Sequence, residues 1–190
     1  MPLDITFTLS DEDLEHFQEI VDRAKLAIGD DQQHPQVEAA ARKMIEDAKS
    51  AQLPDFIAKR LFKLETVLNM VSDEEWRLSE EERNRIRGAL VYFTNPEDLI
   101  PDHIPGLGYL DDAIYVELII RELKNEIDHY EEFCLFRSNE ERKRIAEGED
   151  PHIDREAWLA DKRAALHSRM RRYRRRRMGE DFGGGWRFRW

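Results

Sequence analysis

The sequence predicts an all-α fold: an irregular bundle of six or seven helices around one long central helix, with at most a small pair of strands formed by the two termini. Three observations predict it. Apolar residues recur at intervals of three and four through most of the 190 residues. Capping residues at the starts of these runs, and Gly or Pro at their ends, set them off at helix-length spacing. Strict alternation occurs only at 3–9 and 186–190.

Taken in order, Leu3, Ile5, Phe7 and Leu9 alternate with polar residues, as in a short strand or extended arm. Ser10 with Asp13 has the form of a capping box. Leu14, Phe17, Val21, Ala24 and Ile28 then follow a helical stripe that stops at Gly29. A second helix runs from Pro35 with Val37, Ala41, Met44, Ala48 and Ala51 on one face. Pro54 opens a third, carrying Ile57, Leu61, Leu64, Leu68 and Val71. Ser79 and Glu82 cap a fourth, with Ile86, Leu90 and Phe93 facing in. The longest helix is expected over 111–136, where Ala113, Val116, Ile120, Leu123, Ile127, Tyr130 and Cys134 keep strict spacing. Ser138 and Glu141 cap a short sixth helix that stops near Gly148, and Asp154 begins a seventh with Trp158, Leu159, Leu166 and Met170. After a Gly183–Gly185 triplet, Trp186, Phe188 and Trp190 alternate with arginine; paired with the first arm they would share an apolar face with Ile5 and Phe7.

The helical rhythm breaks at residues 92–113, YFTNPEDLIPDHIPGLGYLDDA. Asn95 is a candidate N-cap, with Pro96 at the first helical position and Asp98 able to reach back. Pro101 lacks an N–H and pushes Ile100 out of the helical region. Pro105-Gly106 suits a tight turn, and Gly108 is a second permissive position. Asp111 and Asp112 open the next helix, where acids oppose the positive end of the dipole. Leu99, Ile100, Ile104 and Leu107 would pin this stiff connector to the core.

These residues carry a family resemblance. Tyr92-Phe93, Pro96, Asp98-Leu99-Ile100-Pro101-Asp102, Ile104-Pro105, Gly108 and Leu110-Asp111-Asp112 are similar to the signature of the YkvA-like family, a bacterial domain of unknown function (number 1232), over residues 85–120. The resemblance implies a small helical domain and no established chemistry. It makes Tyr92, Phe93, Pro96, Asp98, Pro101, Asp102, Pro105, Gly106, Gly108, Asp111 and Asp112 a motif loop of unknown role. Glu97 and His103 stand where the family more often has apolar residues, and some relatives have membrane-embedded helices nearby; both departures imply a soluble copy with a partly exposed loop.

Composition sets the remaining bounds. Charged residues make up 37% and hydrophobic residues 41%, a soluble globular mix large enough for one core. Cys134 is the single cysteine, so no internal disulfide framework exists and a reducing compartment is expected. The start of the chain has neither a basic segment nor a long apolar core, so no signal peptide is read there. The apolar patch 113–120 is interrupted by Glu117 and too short to span a bilayer. The chain therefore reads as cytoplasmic, without a transmembrane segment. Its organisation is an acidic helical domain over 1–150 and a C-terminal helix with an arginine-rich tail over 151–190, joined at 148–151. The net charge of −11 is uneven: nine arginines against Glu180 and Asp181 give residues 169–190 a charge of +7, leaving −18 for 1–168.

Two sites compete for function. Arg169, Arg171, Arg172, Arg174, Arg175, Arg176 and Arg177 form a candidate anion-binding run, seven arginines in nine residues. Self-repulsion disfavours a free helix there, so a negative partner is expected. Nucleic acid fits, with Tyr173 and the later aromatics for stacking; so does an anionic membrane surface; so does an acidic protein, including the chain's own body in the same or a neighbouring copy of a homo-oligomer. This makes a non-enzymatic interaction or adaptor protein the leading reading. The alternative is a metal-dependent enzyme using Asp98, Asp102, Asp111 and Asp112 as oxygen ligands with His103 as general acid or base. Capping and turn roles account for the same aspartates. Glu126 and His129 form a lone E-x-x-H, which reads as a surface pair, and Cys134 reads as a packed thiol. No phosphate loop, nucleophile elbow or zinc-type spacing occurs, and no cofactor is expected.

Overall fold

A computed structural model describes residues 10, 13, 15, 19, 34–51, 53–94 and 108–180, with backbone alone at 34, 35, 92, 94 and 178–180. Six α-helices are delimited among these residues: α1 His34–Ser50, α2 Asp55–Ser72, α3 Glu80–Leu90, α4 Leu110–Glu122, α5 Lys124–Ala146 and α6 Arg155–Glu180. A 3-10 turn at Val91–Thr94 extends α3. No strand occurs among the described residues; the expected pairing of 3–9 with 186–190 lies outside them.

The local start signals hold. The Ser10 hydroxyl accepts the Asp13 N–H at 3.2 Å, while Asp13 Oδ2 accepts from the Ser10 N–H at 2.8 Å. Ser79 caps α3 with a full capping box to Glu82. Pro54 precedes α2, whose carbonyl-bonded first turn begins at Ile57 N–H to Pro54 O, 3.0 Å.

The central helix is corrected. The stretch expected as one helix over 111–136 is two helices, broken at Leu123, whose φ of −94° and ψ of 11° leave helical geometry. Leu123 stays fully buried, and its carbonyl still accepts the Ile127 N–H at 2.9 Å. A one-residue break with no Gly or Pro leaves the apolar spacing intact, so periodicity carries no sign of it. The short sixth helix is also absent as a separate element. Ser138 lies inside α5 and its hydroxyl accepts from Arg142 Nη2 at 2.8 Å, a bond within the helix. Nor is a central helix the longest: α6 is, at 26 residues against 23 for α5.

The described chain divides into two compact units. One takes in Val71 and everything described before it, with Leu78–Arg121; the other takes in Ser72–Arg77 and everything described from Glu122 on. The boundary expected near residue 150 lies inside the second unit, at the link between α5 and α6.

In the first unit α1 packs on α3 and on the 3-10 turn. Val37, Ala41, Ile45 and Ala48 supply the α1 face, and Ile86, Ala89 and Leu90 the α3 face, each at most 2% exposed. The α2 stripe Ile57, Leu61, Leu64, Val67 and Leu68 is equally buried, each such side chain contributing about 2 kcal/mol of apolar burial. A half-buried ion pair, Arg87 Nε to Glu38 at 2.8 Å, ties α3 to α1. Helix α4 is buried around most of its circumference, Tyr115, Val116, Leu118 and Ile119 included.

In the second unit α5 and α6 run antiparallel, and the 72–77 turn packs on them. Trp76 is fully buried, its ring centroid 5.7 Å from Tyr130, 5.1 Å from Phe133 and 4.3 Å edge-on from His167. Asp73 shapes the turn. Its Oδ1 accepts the N–H groups of Glu75 and Trp76 at 2.9 and 3.1 Å, and its Oδ2 accepts from Tyr130 Oη and Arg137 Nη1 at 3.0 and 2.9 Å. At the far end α5 stops in a Schellman motif: Gly148, at φ +78°, donates to Ile145 O, and Glu149 donates to Arg144 O.

Candidate functional site

The arginine run is helical, as the continuous last stretch of α6. Its order follows from how the fold divides the seven side chains. Arg169 Nη2 meets both oxygens of Glu132 at 2.7 and 2.8 Å, and Lys162 Nζ joins the same carboxylate at 2.7 Å. Arg174 Nη2 donates to Glu126 at 3.2 Å. The Glu126 side chain is only 4% exposed. Lys162 and then Arg169 hold the Glu132 carboxyl below the usual carboxylate range. These two arginines are tied to acids of their own unit, Arg174 half-buried and Arg169 exposed, a partial docking of the run.

The others face out. Arg171, Arg172, Arg175 and Arg176 are exposed and, at 100° per residue, fall within about 140° of arc on one side of the helix. Arg177 is exposed as well, and Tyr173, 52% exposed, flanks the strip. Met170 is the last buried side chain of α6 among those described; beyond it, only Arg174 of the described side chains is even half-buried. The result is a basic helix surface able to meet several anionic groups at once.

The motif residues fall differently. Pro96, Asp98, Pro101, Asp102, Pro105 and Gly106, with Glu97 and His103, lie outside the described residues. Tyr92 is described in backbone alone, within the 3-10 turn, and Phe93 is half-buried there. Gly108 is buried. Asp111 and Asp112 occupy the first turn of α4, 1% and 7% exposed, where the helix dipole favours them. Of the four-aspartate set these two are the described members. Among the described residues no group of three or more His, Cys, Asp or Glu side chains is arranged to hold a metal ion.

Two smaller motifs find structural roles. Glu126 is turned to Arg174, while His129 Nδ1 lies 2.6 Å from the Asn125 carbonyl, so the E-x-x-H does not converge. Cys134 is half-buried with Arg137 Nη2 3.6 Å from its sulfur. Burial outweighs that cation and pushes the thiol up, away from an activated thiolate.

Sequence reasoning gave no place to several residues that organise the second unit. Arg155 holds the Glu75 carboxylate through Nε and Nη2, and Arg137 Nη1 adds a bond at 2.8 Å. The Glu75 carboxyl is accordingly held low, by Arg155 first and Arg137 after it. Trp158 meets the Arg144 and Arg155 guanidiniums, 5.4 and 5.3 Å from its ring. Backbone strain marks the motif at Tyr109, an aromatic at φ +65° whose carbonyl accepts the first α4 bond from Ala113 at 3.0 Å. The neighbouring Gly108 and the acidic first turn were the visible signals for a helix start; nothing in the sequence marks the tyrosine as the left-handed residue.

No helix among the described residues is long and apolar enough to cross a membrane. Comparison with known proteins gives three findings. A family model described as "Protein of unknown function (DUF1232)" matches residues 85–118, from the middle of α3 through most of α4. The "Uncharacterized membrane protein YkvA" of Bacillus subtilis (strain 168) is 36% identical over 76 residues, covering 37% of this chain and 70% of the relative. No solved structure matches. The motif grammar of residues 92–113, the family match over the same helices and the share of the relative that is covered agree: the chain belongs to the DUF1232 family of YkvA-like proteins.

Proposed function

We propose that this chain is a non-enzymatic binding protein that docks peripherally on an anionic membrane surface through the outward arginines of α6. The observation that carries the reading is the clustering of the exposed Arg171, Arg172, Arg175 and Arg176 along one side of a helix stretch that buries no apolar side chain. A planar surface of phosphate headgroups is engaged by a one-sided strip, and each arginine near such a surface contributes about 1 kcal/mol. Over the four, the sum corresponds to a weak, reversible contact that salt screens. The relative's description as a membrane protein supports a lipid partner over nucleic acid, and the lack of a crossing helix among the described residues supports contact from one side. A cytoplasmic location at an inner leaflet goes with this reading, since anionic lipid is concentrated there.

Sedimentation with vesicles tests it. The intact protein is expected to bind phosphatidylcholine vesicles that contain phosphatidylglycerol and not pure phosphatidylcholine, with affinity falling steeply as salt rises. The variant R171Q/R172Q/R175Q/R176Q is expected to lose that binding. Equal binding by this variant overturns the proposal. Tighter binding to single-stranded DNA or to an acidic protein than to anionic vesicles reassigns the partner.

A further inference from the structure

Resting on the membrane reading, we infer that Glu126, a buried acid on α5, is the positioning residue of the arginine face: its pair with Arg174 keeps the last turns of α6 helical and presents Arg171, Arg172, Arg175 and Arg176 on one side. The argument begins with what those turns lack. From 171 to 177 no described side chain is buried, so apolar packing does not hold this stretch. The same residues place like charges three and four apart, as in Arg171–Arg174–Arg175 and Arg172–Arg175–Arg176, an arrangement that destabilises a helix. A helix end that buries no side chain and carries repulsive pairs frays.

Ties to α5 oppose fraying. Arg169 bonds Glu132 and the Asn125 side chain donates to the Met170 carbonyl at 3.4 Å, both at or before the last buried residue. Arg174 to Glu126 reaches further out along the helix. Glu126 is the more buried partner, its side chain 4% exposed against 21% for Arg174, so the carboxylate is a fixed point and the arginine is drawn to it. Arg174 falls outside the arc that Arg171, Arg172, Arg175 and Arg176 share. Drawing it inward therefore turns those four outward together.

Glu126→Gln gives a test with an unusual sign. It removes one negative charge and leaves every arginine, so charge counting alone predicts tighter binding to anionic vesicles. The positioning role predicts weaker binding, by about threefold or more, with amide exchange protection over 171–177 falling by about tenfold. Arg174→Gln is expected to lose the same protection, and Arg174→Lys to restore part of it. Arg172→Gln is expected to weaken binding with protection kept or slightly raised. All are measured on the full chain, by hydrogen exchange with mass spectrometry and by sedimentation with phosphatidylcholine–phosphatidylglycerol vesicles. Tighter or unchanged binding by Glu126→Gln, or unchanged protection in both Glu126→Gln and Arg174→Gln, overturns the inference. Failure of the wild-type protein to bind any vesicle sinks the membrane reading instead, and the exchange measurement then decides the positioning role by itself.

Discussion

The two compact units hold their helices by different physics. In the first, α2 presents Ile57, Leu61, Leu64, Val67 and Leu68, none more than 1% exposed, and aliphatic faces of α1 and α3 are buried as completely. In the second, the centre is one indole, Trp76, among Tyr130, Phe133 and His167. Around it Asp73 and Glu75 bind Arg137 and Arg155. Aliphatic burial is non-directional and tolerates swaps of similar volume. An aromatic and ionic core depends on orientation and on charge state. The first unit should therefore be robust to chemistry and sensitive to volume, and the second sensitive to both.

The sharpest way to break this contrast is at Trp76. Trp76→Ala removes a fully buried indole and should cost about 4 kcal/mol in chemical denaturation. Burial also leaves Tyr130 dependent on its partner: the phenol is pushed up by burial and donates to Asp73 at 3.0 Å. By comparison Leu64→Met in the first unit keeps the volume and should cost less than about 1.5 kcal/mol. A loss below about 1 kcal/mol for Trp76→Ala would put it in the range of an ordinary substitution and remove the indole from the centre of the second unit.

Acid should separate the units next. The folded-state carboxyls of Glu75 and Glu132 both lie below their ordinary value of 4.5. A depressed carboxyl contributes stability that is present above its unfolded value and lost as pH falls through the folded one. The second unit should therefore weaken as pH drops below about 4.5, the ordinary carboxyl value. Hydrogen exchange followed through that window should show α5 and α6 losing protection before α2. Glu75→Gln should reduce the acid sensitivity while lowering stability at neutral pH. Equal loss in all three helices would erase the distinction between the units.

The same contrast explains what the sequence made legible. The capping box at Ser79 and Glu82, the stripe of α2 and the stop at Gly148 are local signals, resolved within a few residues. The organising contacts of the second unit are not. Asp73 reaches Tyr130 and Arg137 across 57 and 64 positions, and the sequence around it reads only as a polar turn. Leu123 breaks a helix while remaining apolar and buried, so spacing passes through it unchanged. At the candidate site the arginine run was visible as charge. Which arginines are tied to α5 depends on Glu126 and Glu132, 48 and 37 positions away from Arg174 and Arg169. Asp111 and Asp112 were legible as acids of a first turn; the strained backbone at Tyr109 just before them was not.

A smaller effect tests the link between α5 and α6. Gly148 has open space where a Cβ would be built, yet its φ of +78° disfavours any other residue. Gly148→Ala should cost about 1 kcal/mol through backbone strain alone. Gly148→Asn should cost less, because asparagine tolerates the left-handed region. If alanine is neutral, the Schellman geometry is not what stops α5.

The smallest expected change in stability is at the outer arginines, and its sign carries the argument. Arg172 and Arg176 are exposed and four residues apart, a like-charge pair on one helix face. Replacing both with glutamine should remove their repulsion and raise stability by about 0.3 kcal/mol, within the range of helix-surface pairs. The two arginines tied to α5 should behave oppositely. Arg169→Gln leaves Glu132 with Lys162, and Arg174→Gln leaves a nearly buried Glu126 without that bond, so both should lower stability, the second more. Thermal melts of the three variants would order them. A helix whose outer charges oppose its own folding keeps them at a cost, which is the pattern of residues retained for a partner. A loss of more than about 1 kcal/mol on removing Arg172 and Arg176 would instead make them structural, beyond the range of a free surface, and leave α6 without an open cationic face.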